Sequence, residues 1–378
     1  MNVLKYIELR RQLHRNPELS NQEKETTYRI CEFLNSEGLN FMPFQRSYGG
    51  FVKIDVGAKK TVCFRADIDA LPLSENTGAE FSSEKYNVMH ACGHDMHTGI
   101  AVGVACELNK VKEALIDNVI VLFQPAEEDN PKGGAKSIVN DNFLENQKIS
   151  EIYGIHMWPS LPVGDIELRP GPIMAASDRF IIVVNGKNAH AAEAHLGVDA
   201  ISIASEIDLA LTSRLRREIS PFDNVIIAIG SFQSFGRYNV ICDKVILEGT
   251  VRTVHEKTRS YIHKRIKEIA TSIAQTYGGI SIVNINPGYG VVNNDYRLFE
   301  KFSNMAIRNL GNAHVHTDSH PSLIGEDFYY YGTKIPSLYI HVGCESNYPL
   351  HSNCFLPKEE TMEFTIQLMT DYFLNADK

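Results

Sequence analysis

The residues with the greatest chemical potential lie in one short stretch, "HACGHDMHT", at positions 90–98. Cys92 and His94 flank a single glycine just before a predicted helix, so both side chains can turn toward a common point. Thiolate and imidazole groups are the ligands that borderline-soft divalent metals favour. Taken alone, the stretch leaves three interpretations open: a metal site, a nucleophile beside its base, or a helix that begins in a polar cluster.

The segment "QPAEE" at 124–128 carries a second set of reactive groups, where a predicted apolar strand runs into Pro125 and then Glu127 and Glu128. Neighbouring residues at a strand end point in different directions. One carboxylate can therefore bind a metal while the other faces the molecule that the metal binds. Metal-dependent hydrolysis needs this division between a ligand and a general base. The alternative is a solvated pair of loop acids.

Two further histidines lie at a predicted strand end and in a loop: His156 in "GIHMWP" and His351 in "YPLHS". Each alone is explained more simply as a hydrogen-bonded core residue or as a loop residue without a function. The conjunction is more informative, because separate segments of one domain all deliver side chains that can bind metals. The predicted ligands are Cys92, His94, Glu128, His156 and His351. Five ligands exceed the need of one tetrahedral ion and indicate two ions about 3.5 to 4 Å apart, bridged by Cys92 or by water.

Further polar residues are predicted to support this chemistry. Asp67, in "RADIDALPL", and Asp95 could hold ligands from behind, because a metal-bound histidine usually donates its second nitrogen to a carboxylate. Helix capping is an equally good interpretation of Asp95. His190, in "NGKNAHAAEAH", follows a predicted strand and a glycine turn, and can donate to the oxyanion that forms when water attacks an amide. The alternative for His190 is a surface loop histidine.

The scaffold that gathers these residues is predicted to be an α/β fold. After helix-like spacing over the first 40 residues, strands such as "NVIVLFQ" alternate with helices, as in a sheet whose carboxyl edge holds the site. At 176–290 the order becomes β-α-β-β-α-β, the signature of a ferredoxin-like unit. We therefore predict a catalytic domain formed by 1–175 and 291–378, with a smaller inserted domain at 176–290.

Composition excludes several classes of partner. The chain has 378 residues, 43% of them hydrophobic, and a net charge of -9, so it lacks the dense basic patch that nucleic acids require. Nothing approaches the run of about 18 apolar residues that a membrane span needs, and the first residues lack the apolar core of a signal peptide. The seven scattered cysteines form no C-x-x-C pair. We expect reduced thiols and a cytoplasmic protein without nucleic-acid or membrane partners.

The ordered motifs resemble the dinuclear amidohydrolase branch of the aminoacylase and carboxypeptidase metallopeptidase family. That branch includes hippurate hydrolases, N-acetyldiaminopimelate deacetylases and indole-acetyl-amino-acid hydrolases. The matching segments, in order, are "RRQLHRNPELSNQE", "RADIDALPL", "HACGHDMHT", "QPAEE", "GIHMWP", "NAHAAEAH", "NVI", "GTVRT", "GEDF" and "YPLHS". The resemblance implies a two-metal catalytic domain and an inserted lid that also mediates contacts in a homodimer.

The resemblance also implies roles for single residues. The five predicted ligands fall on the family's ligand positions, and Glu127 falls on that of the general base. His190 matches a lid histidine placed near the substrate's carbonyl oxygen, often across a dimer interface. Asn239 and Arg252 match lid positions associated with the substrate's carboxylate, although a structural role is an equally good interpretation of Arg252.

Two departures from the family pattern bear on the substrate. Ala194 stands where proline is common, and the loop before "YPLHS" is the short "VGCESN", with Cys344 and Glu345. The predicted reaction is hydrolysis of the amide bond of N-acyl-L-amino acids, as in N-acetyl-amino-acid or N-acetyldiaminopimelate deacetylases. It would use two divalent ions, manganese or zinc, with cobalt or nickel as further options. The alternatives are a dipeptidase or carboxypeptidase with the same mechanism, and a catalytically silent protein that binds a metabolite.

Overall fold

The computed structural model describes residues 1–375 and contains two compact units. The first unit contains Met1–Ile173, Asn293–His320 and the chain from Asp327 onward. The second contains Met174–Val292 and Pro321–Glu326. Each unit has its own cluster of buried apolar side chains. Within residues 1–375, we find no helix with the length and apolar character that crossing a membrane requires.

An eight-stranded sheet organises the first unit. Its strands in spatial order are β1 (Phe41–Pro43), β2 (Gly50–Ile54), β4 (Asn118–Gln124), β3 (Thr61–Asp67), β5 (Ile149–Trp158), β14 (Ser337–Gly343), β6 (Ile166–Glu167) and β13 (Val315–His316). The central strands β4, β3, β5 and β14 run parallel to one another. Every residue of β3, β4 and β14 is buried, which explains their nearly continuous apolar sequences. Their carboxyl ends therefore share one edge of the sheet.

The helices of this unit are α1 (Leu4–Arg15), α2 (Lys24–Ser36), α3 (His94–Lys110), α4 (Gly134–Asn140), α5 (Phe143–Asn146), α8 (Tyr296–Leu310), α9 (Tyr329–Gly332) and α10 (Glu360–Asn375). Helix α3 is buried along most of its length and contacts both α1 and α10. Two glycines permit this close packing. A Cβ atom on Gly103 would lie 2.4 Å from Ile366, and one on Gly99 would lie 2.7 Å from Met362. The packing fixes the amino terminus of α3, where His94 is the first residue.

The second unit is a ferredoxin-like fold. Its elements in chain order are β8 (Ala176–Asn185), α6 (Ala200–Leu209), β9 (Val225–Ser234), β10 (Lys244–Thr253), α7 (Glu256–Thr276) and β11 (Ile280–Pro287). The antiparallel sheet has the order β11-β8-β10-β9. Alternating residues of β8 and β10 are buried, as expected for a sheet with one face on a core. The predicted β-α-β-β-α-β order is confirmed. Two short strands, β7 (Gly171–Met174) and β12 (Val292–Asn294), lie where the chain passes between the units.

One segment differs from its predicted place. Residues 321–326 belong to the second unit, although the sequence assigned all of 291–378 to the catalytic domain. The reason is backbone pairing: the N–H of Ala175 donates to the carbonyl of Ile324 at 3.0 Å, and Met174 pairs with Ser322. Such pairing involves main-chain atoms and leaves no hydrophobic pattern in the sequence.

Candidate metal centre

The loop before α3, the first residue of α3 and the end of β5 bring three predicted ligands together. The ligand atoms of Cys92, His94 and His156 all lie within 4.8 Å of one another, and Sγ of Cys92 is 3.4 Å from Nε2 of His156. The glycine between the first two has a φ of 87°, a left-handed conformation that places Cys92 and His94 on the same side of the turn. All three side chains are buried.

Cys92 also belongs to a second group, with Glu128 and His351. Nε2 of His351 lies 3.3 Å from Oε1 of Glu128. The backbone N–H of His351 donates to the carbonyl of Ala91 at 2.8 Å, which fixes the loop that carries this half-exposed histidine beside the "HACGHD" segment. The structure thus brings all five predicted ligands into two groups that share Cys92.

The hydrogen bonds of the buried histidines leave Nε2 directed toward this cluster. Nδ1 of His156 lies 2.8 Å from the carbonyl of Met157 and must donate to it, so Nε2 remains a lone-pair donor for a metal. Nδ1 of His94 likewise lies 3.0 Å from the carbonyl of Asp69. Nε2 of His94 is a buried atom without a hydrogen-bond partner among residues 1–375. Oε1 of Glu128 is a second buried atom that makes no hydrogen bond within this range, although Nε2 of His351 lies 3.3 Å from it. Buried nitrogen and oxygen atoms that make no hydrogen bond and lie beside a thiol fit a cation-binding cluster.

The two buried histidines of the cluster differ in their electrostatics. Burial holds the pKa of His156 well below its usual range, which keeps this imidazole neutral. Burial also lowers the pKa of His94, but the carboxylates of Asp67 and Asp69 outweigh it and raise the pKa to about 10. The same carboxylates that stabilise a proton on His94 would stabilise a metal cation in its place.

Asp69 is the supporting residue that sequence reasoning missed. Its Oδ1 lies 3.2 Å from Nδ1 of His94, and its Oδ2 accepts the backbone N–H of Glu128 at 2.9 Å and the hydroxyl of Ser20 at 2.7 Å. One carboxylate therefore orients two predicted ligands. The D-x-D spacing with Asp67 was the available signal, since alternate residues near a strand end share a face.

Asp67 supports the cluster indirectly. Its Oδ1 lies 2.6 Å from Nδ1 of His97, and its Oδ2 is 3.7 Å from Nε2 of His94. Nε2 of His97 accepts the backbone N–H of Met157 at 2.9 Å, so Nδ1 carries the proton and donates to Asp67. Asp67 therefore holds a histidine outside the predicted ligand set.

The structure places Asp95 elsewhere. The capping interpretation is wrong, because no side chain within residues 1–375 caps the amino terminus of α3. The Asp95 carboxylate faces α1, 2.8 Å from Nδ1 of His14 and 2.6 Å from Nε of Arg10. Burial would raise the pKa of Asp95, but these two cationic groups outweigh it and hold the pKa far below its usual range. Asp95 therefore does not support a predicted ligand histidine, contrary to our expectation. Its buried contacts connect α3 to α1 instead.

Glu127 and Glu128 follow β4 in a turn that separates their roles. Ala126 has a φ of 56°, and its N–H donates to Oε1 of the buried Glu23 at 2.8 Å. Glu127 is buried and its Oε1 accepts the N–H of Asp327 at 3.4 Å. Ligand atoms of His94, Glu127 and Glu128 lie within 4.8 Å of one another. Glu127 is thus beside the cluster without belonging to the two groups that share Cys92.

His190, Asn239 and Arg252 all lie in the second unit. His190 is exposed, and its Nδ1 accepts the N–H of Ala192 at 3.1 Å. The N–H of Ala191 donates to the carbonyl of Asn239 at 3.1 Å, so His190 and Asn239 lie on adjacent segments. Arg252 lies on β10, with Nη1 3.5 Å from the carbonyl of Leu323.

The short loop after β14 is fixed by backbone hydrogen bonds. Cys344 is buried and donates its N–H to the carbonyl of Trp158 at 3.2 Å, while Glu345 donates to Leu161 at 3.0 Å. The side chain of Glu345 pairs with Lys358 at 2.5 Å. The Cys344 thiol, whose pKa burial raises to about 12, is therefore a packed side chain.

Comparisons with known proteins agree with this geometry. Residues 63–375 match the model of peptidase family M20/M25/M40. The chain is 36% identical over 367 residues to N-acetylcysteine deacetylase of Bacillus subtilis strain 168, covering 97% of this chain and 95% of that protein. It is 33% identical over 372 residues to N-acetyldiaminopimelate deacetylase of Exiguobacterium sibiricum, covering 97% and 98%. The crystal structure of the Bacillus subtilis YxeP protein, a dinuclear metal-binding peptidase of the M20 family, matches with a TM-score of 0.87 and 33% identity over 98% of this chain and 97% of that one.

These findings confirm the family resemblance, the α/β fold with its inserted unit, and the prediction of an enzyme that acts on amide bonds. The ligand-competent groups described above are consistent with a metal-dependent member of such a family. The chain belongs to peptidase family M20/M25/M40.

Proposed function

We propose that the protein hydrolyses the amide bond of N-acyl-L-amino acids and releases a carboxylate and the free amino acid. The observation that carries this proposal is the pair of ligand groups sharing Cys92, with the buried carboxylate of Glu127 beside them. N-acetyl amino acids are the first substrates to test, because relatives that match almost the whole chain are deacetylases of N-acetylcysteine and N-acetyldiaminopimelate.

The donor set fits two divalent ions. Sulfur, imidazole nitrogen and carboxylate oxygen suit manganese or zinc, with cobalt and nickel as further options. The residues that would hold them are Cys92, His94, Glu128, His156 and His351, with Cys92 shared between the two groups. When bound, such ions supply Lewis-acid activation of water and of the substrate's carbonyl group.

Glu127 is the proposed general base. It takes a proton from the attacking water and returns it to the leaving amine. This role requires a carboxylate that lies close to the metal ligands without being a ligand itself. Oε1 of Glu127 is held by the Asp327 N–H, which limits the rotation of the carboxylate. The adjacent Glu128 is fixed through its own peptide N–H to Asp69.

The proposed roles in the second unit are substrate contacts. His190 donates a hydrogen bond to the carbonyl oxygen as negative charge develops there, and Asn239 and Arg252 hold the substrate's carboxylate. The exposed imidazole of His190 is free to face a ligand through Nε2, since Nδ1 accepts from Ala192.

We also propose a homodimer and a cytoplasmic location. Strand β9 is an edge of the ferredoxin-like sheet, and exposed aromatic residues Phe232 and Phe235 lie on it and just after it. Exposed edge strands with apolar side chains favour pairing with a second chain. The seven cysteines are all free thiols, which suits a reducing compartment.

The test is release of free amino acid from a panel of acetyl-, benzoyl-, indole-acetyl- and aminoacyl-amino acids by protein loaded with manganese or zinc. Cleavage of the acyl-amino acids by the wild type, with loss in Glu127→Gln, would support the proposal. Preference for the aminoacyl compounds would instead identify a dipeptidase. Binding of two metals without cleavage of any compound would favour the silent binding protein.

A further inference from the structure

Arg65 is a buried cation that joins two residues, Asp67 and Asp327, on the side chains of which the surroundings of the predicted metal ligands depend. It stands on β3 with no exposed surface. Its Nε donates to Oε1 of Gln124 at 2.8 Å, and Nη1 donates to Oδ2 of Asp67 at 2.6 Å. Nη2 donates to Oδ1 of Asp327 at 2.8 Å. Burying a guanidinium group is costly unless its N–H donors are paired with acceptors. Because the group is planar and rigid, its hydrogen bonds to Gln124, Asp67 and Asp327 fix the positions of these three side chains relative to one another.

One arm of this network leads to Glu127. The carboxylate of Asp327 is held by Arg65, by the side-chain amide of Gln124 at 2.9 Å and by the N–H of Ala135 at 2.9 Å. With its side chain fixed in this way, Asp327 directs its backbone N–H to Oε1 of Glu127. Asp327 therefore connects Arg65 to the proposed base.

The other arm leads to the ligand His156. Asp67, held by Arg65, accepts a hydrogen bond from His97, and His97 accepts the N–H of Met157. The carbonyl of Met157 in turn accepts Nδ1 of His156. Each link is between 2.6 and 2.9 Å and involves buried groups.

We propose that Arg65 is a positioning residue for the reaction, setting the orientation of Glu127 relative to His156 through Asp327 and Asp67. This inference rests on the proposed function. Lysine cannot replace Arg65 in this role, because an ammonium group is a point charge without the planar fork that reaches Gln124, Asp67 and Asp327 together.

The experiment compares wild type with Arg65→Lys and Asp327→Asn, each loaded with metal. We expect both variants to retain two ions, measured by elemental analysis, and to keep KM within a small factor. We expect kcat to fall roughly 100-fold, the scale of a 1 Å misplacement. In Arg65→Ala, added millimolar guanidinium should restore part of kcat. The matched control is Arg259→Lys in the second unit, where a buried arginine forks onto Asp178 at 2.6 and 2.8 Å. This control should lose thermal stability while keeping kcat.

Two results would overturn the inference. One is a wild-type kcat in Arg65→Lys, and the other is a fall in kcat that is fully explained by a lower metal content. If Arg65→Lys does not fold, wild-type kcat in Asp327→Asn would overturn it equally. A second readout needs no substrate: the downfield proton resonance of the His97–Asp67 hydrogen bond should shift in Arg65→Lys, and an unchanged resonance would contradict the proposed arm. If the wild type hydrolyses nothing while the resonance still shifts in Arg65→Lys, the result would contradict the proposed function alone.

Discussion

One carboxylate oxygen of Asp69 lies 3.2 Å from Nδ1 of His94, and the other accepts a hydrogen bond from the peptide N–H of Glu128. A single carboxylate thus fixes a side chain from the helix α3 and a turn that follows β4. Because a carboxylate behind a metal-bound histidine orients the ring and raises its basicity, Asp69 should matter for metal affinity more than for the fold.

We predict that Asp69→Asn weakens metal binding by about 10- to 100-fold, measured by competition with a chromophoric chelator. The amide keeps the shape but removes the negative charge beside His94. Ser20→Ala is the matched control, because it removes a 2.7 Å hydrogen bond to the same carboxylate without touching a predicted ligand. Equal affinities in wild type and Asp69→Asn would show that the backbone carbonyl of Asp69 orients His94 sufficiently.

The adjacent carboxylates should respond differently to the same change. Glu127→Gln is predicted to bind both metals and lose about 10²- to 10⁴-fold in kcat, since only proton transfer is removed. Glu128→Gln is predicted to lower the metal content itself, because its carboxylate lies in the group with Cys92 and His351. Metal analysis and kcat measured on both variants distinguish the two roles. Reversed phenotypes would exchange the assignments of base and ligand.

The turn that carries these acids depends on Gly134, the first residue of α4. A Cβ atom there would lie 1.7 Å from the carbonyl oxygen of Pro125, so Gly134→Ala must displace the turn. We predict a loss of about 1 to 3 kcal/mol in the free energy of unfolding, together with weaker metal binding. Gly230→Ala, on β9 with open space around its Cβ, should change the stability by less than about 0.5 kcal/mol. Equal effects of the two substitutions in urea unfolding would contradict the steric argument.

The stability of the metal-free protein should fall in acid partly through Glu75. Burial raises the pKa of this carboxyl, but hydrogen bonding and attraction to His14 outweigh it and lower the pKa from 4.5 to about 2. A folded pKa below the unfolded one stabilises the protein above the unfolded value, and this contribution is lost as the pH falls toward the folded value. Glu75→Gln should therefore flatten the dependence of unfolding free energy on pH below 4.5.

Urea titrations at several pH values check this prediction on protein stripped of metal, because protonation of the ligands would otherwise release the ions. Glu80→Gln, an exposed acid of the same loop, is the control and should keep the wild-type slope. If the unfolding free energies of wild type and Glu75→Gln depend on pH in the same way, Glu75 does not contribute to the loss of stability in acid.

The sequence was most informative where residue type and element order coincide. Cys92 and His156 could be predicted to meet because each lies at a carboxyl-edge position of a parallel sheet, and the ferredoxin-like unit could be predicted from the order of its periodic segments. It failed for Asp95 and Asp69. Asp95 lies within "HACGHDMHT" and Asp69 within "RADIDALPL". The packing of α3 on α1 turns Asp95 toward Arg10, and the chain after β3 turns Asp69 toward His94. The D-x-D spacing indicates a shared face for Asp67 and Asp69, but the partner that each acid meets depends on tertiary contacts.

Strand β14 occupies the centre of the first unit's sheet, hydrogen-bonded to β5 from Ser337 to Gly343. During synthesis on the ribosome, β5 emerges more than a hundred residues before this neighbour does. Until then its edge presents unsatisfied peptide groups and an apolar strand, the condition in which nascent chains aggregate or recruit chaperones. The inserted unit is complete during that interval, since the sheet of β11, β8, β10 and β9 includes no strand from the rest of the described chain. We therefore expect the inserted unit to fold first during translation, and the first unit to fold only after β14 has been synthesised.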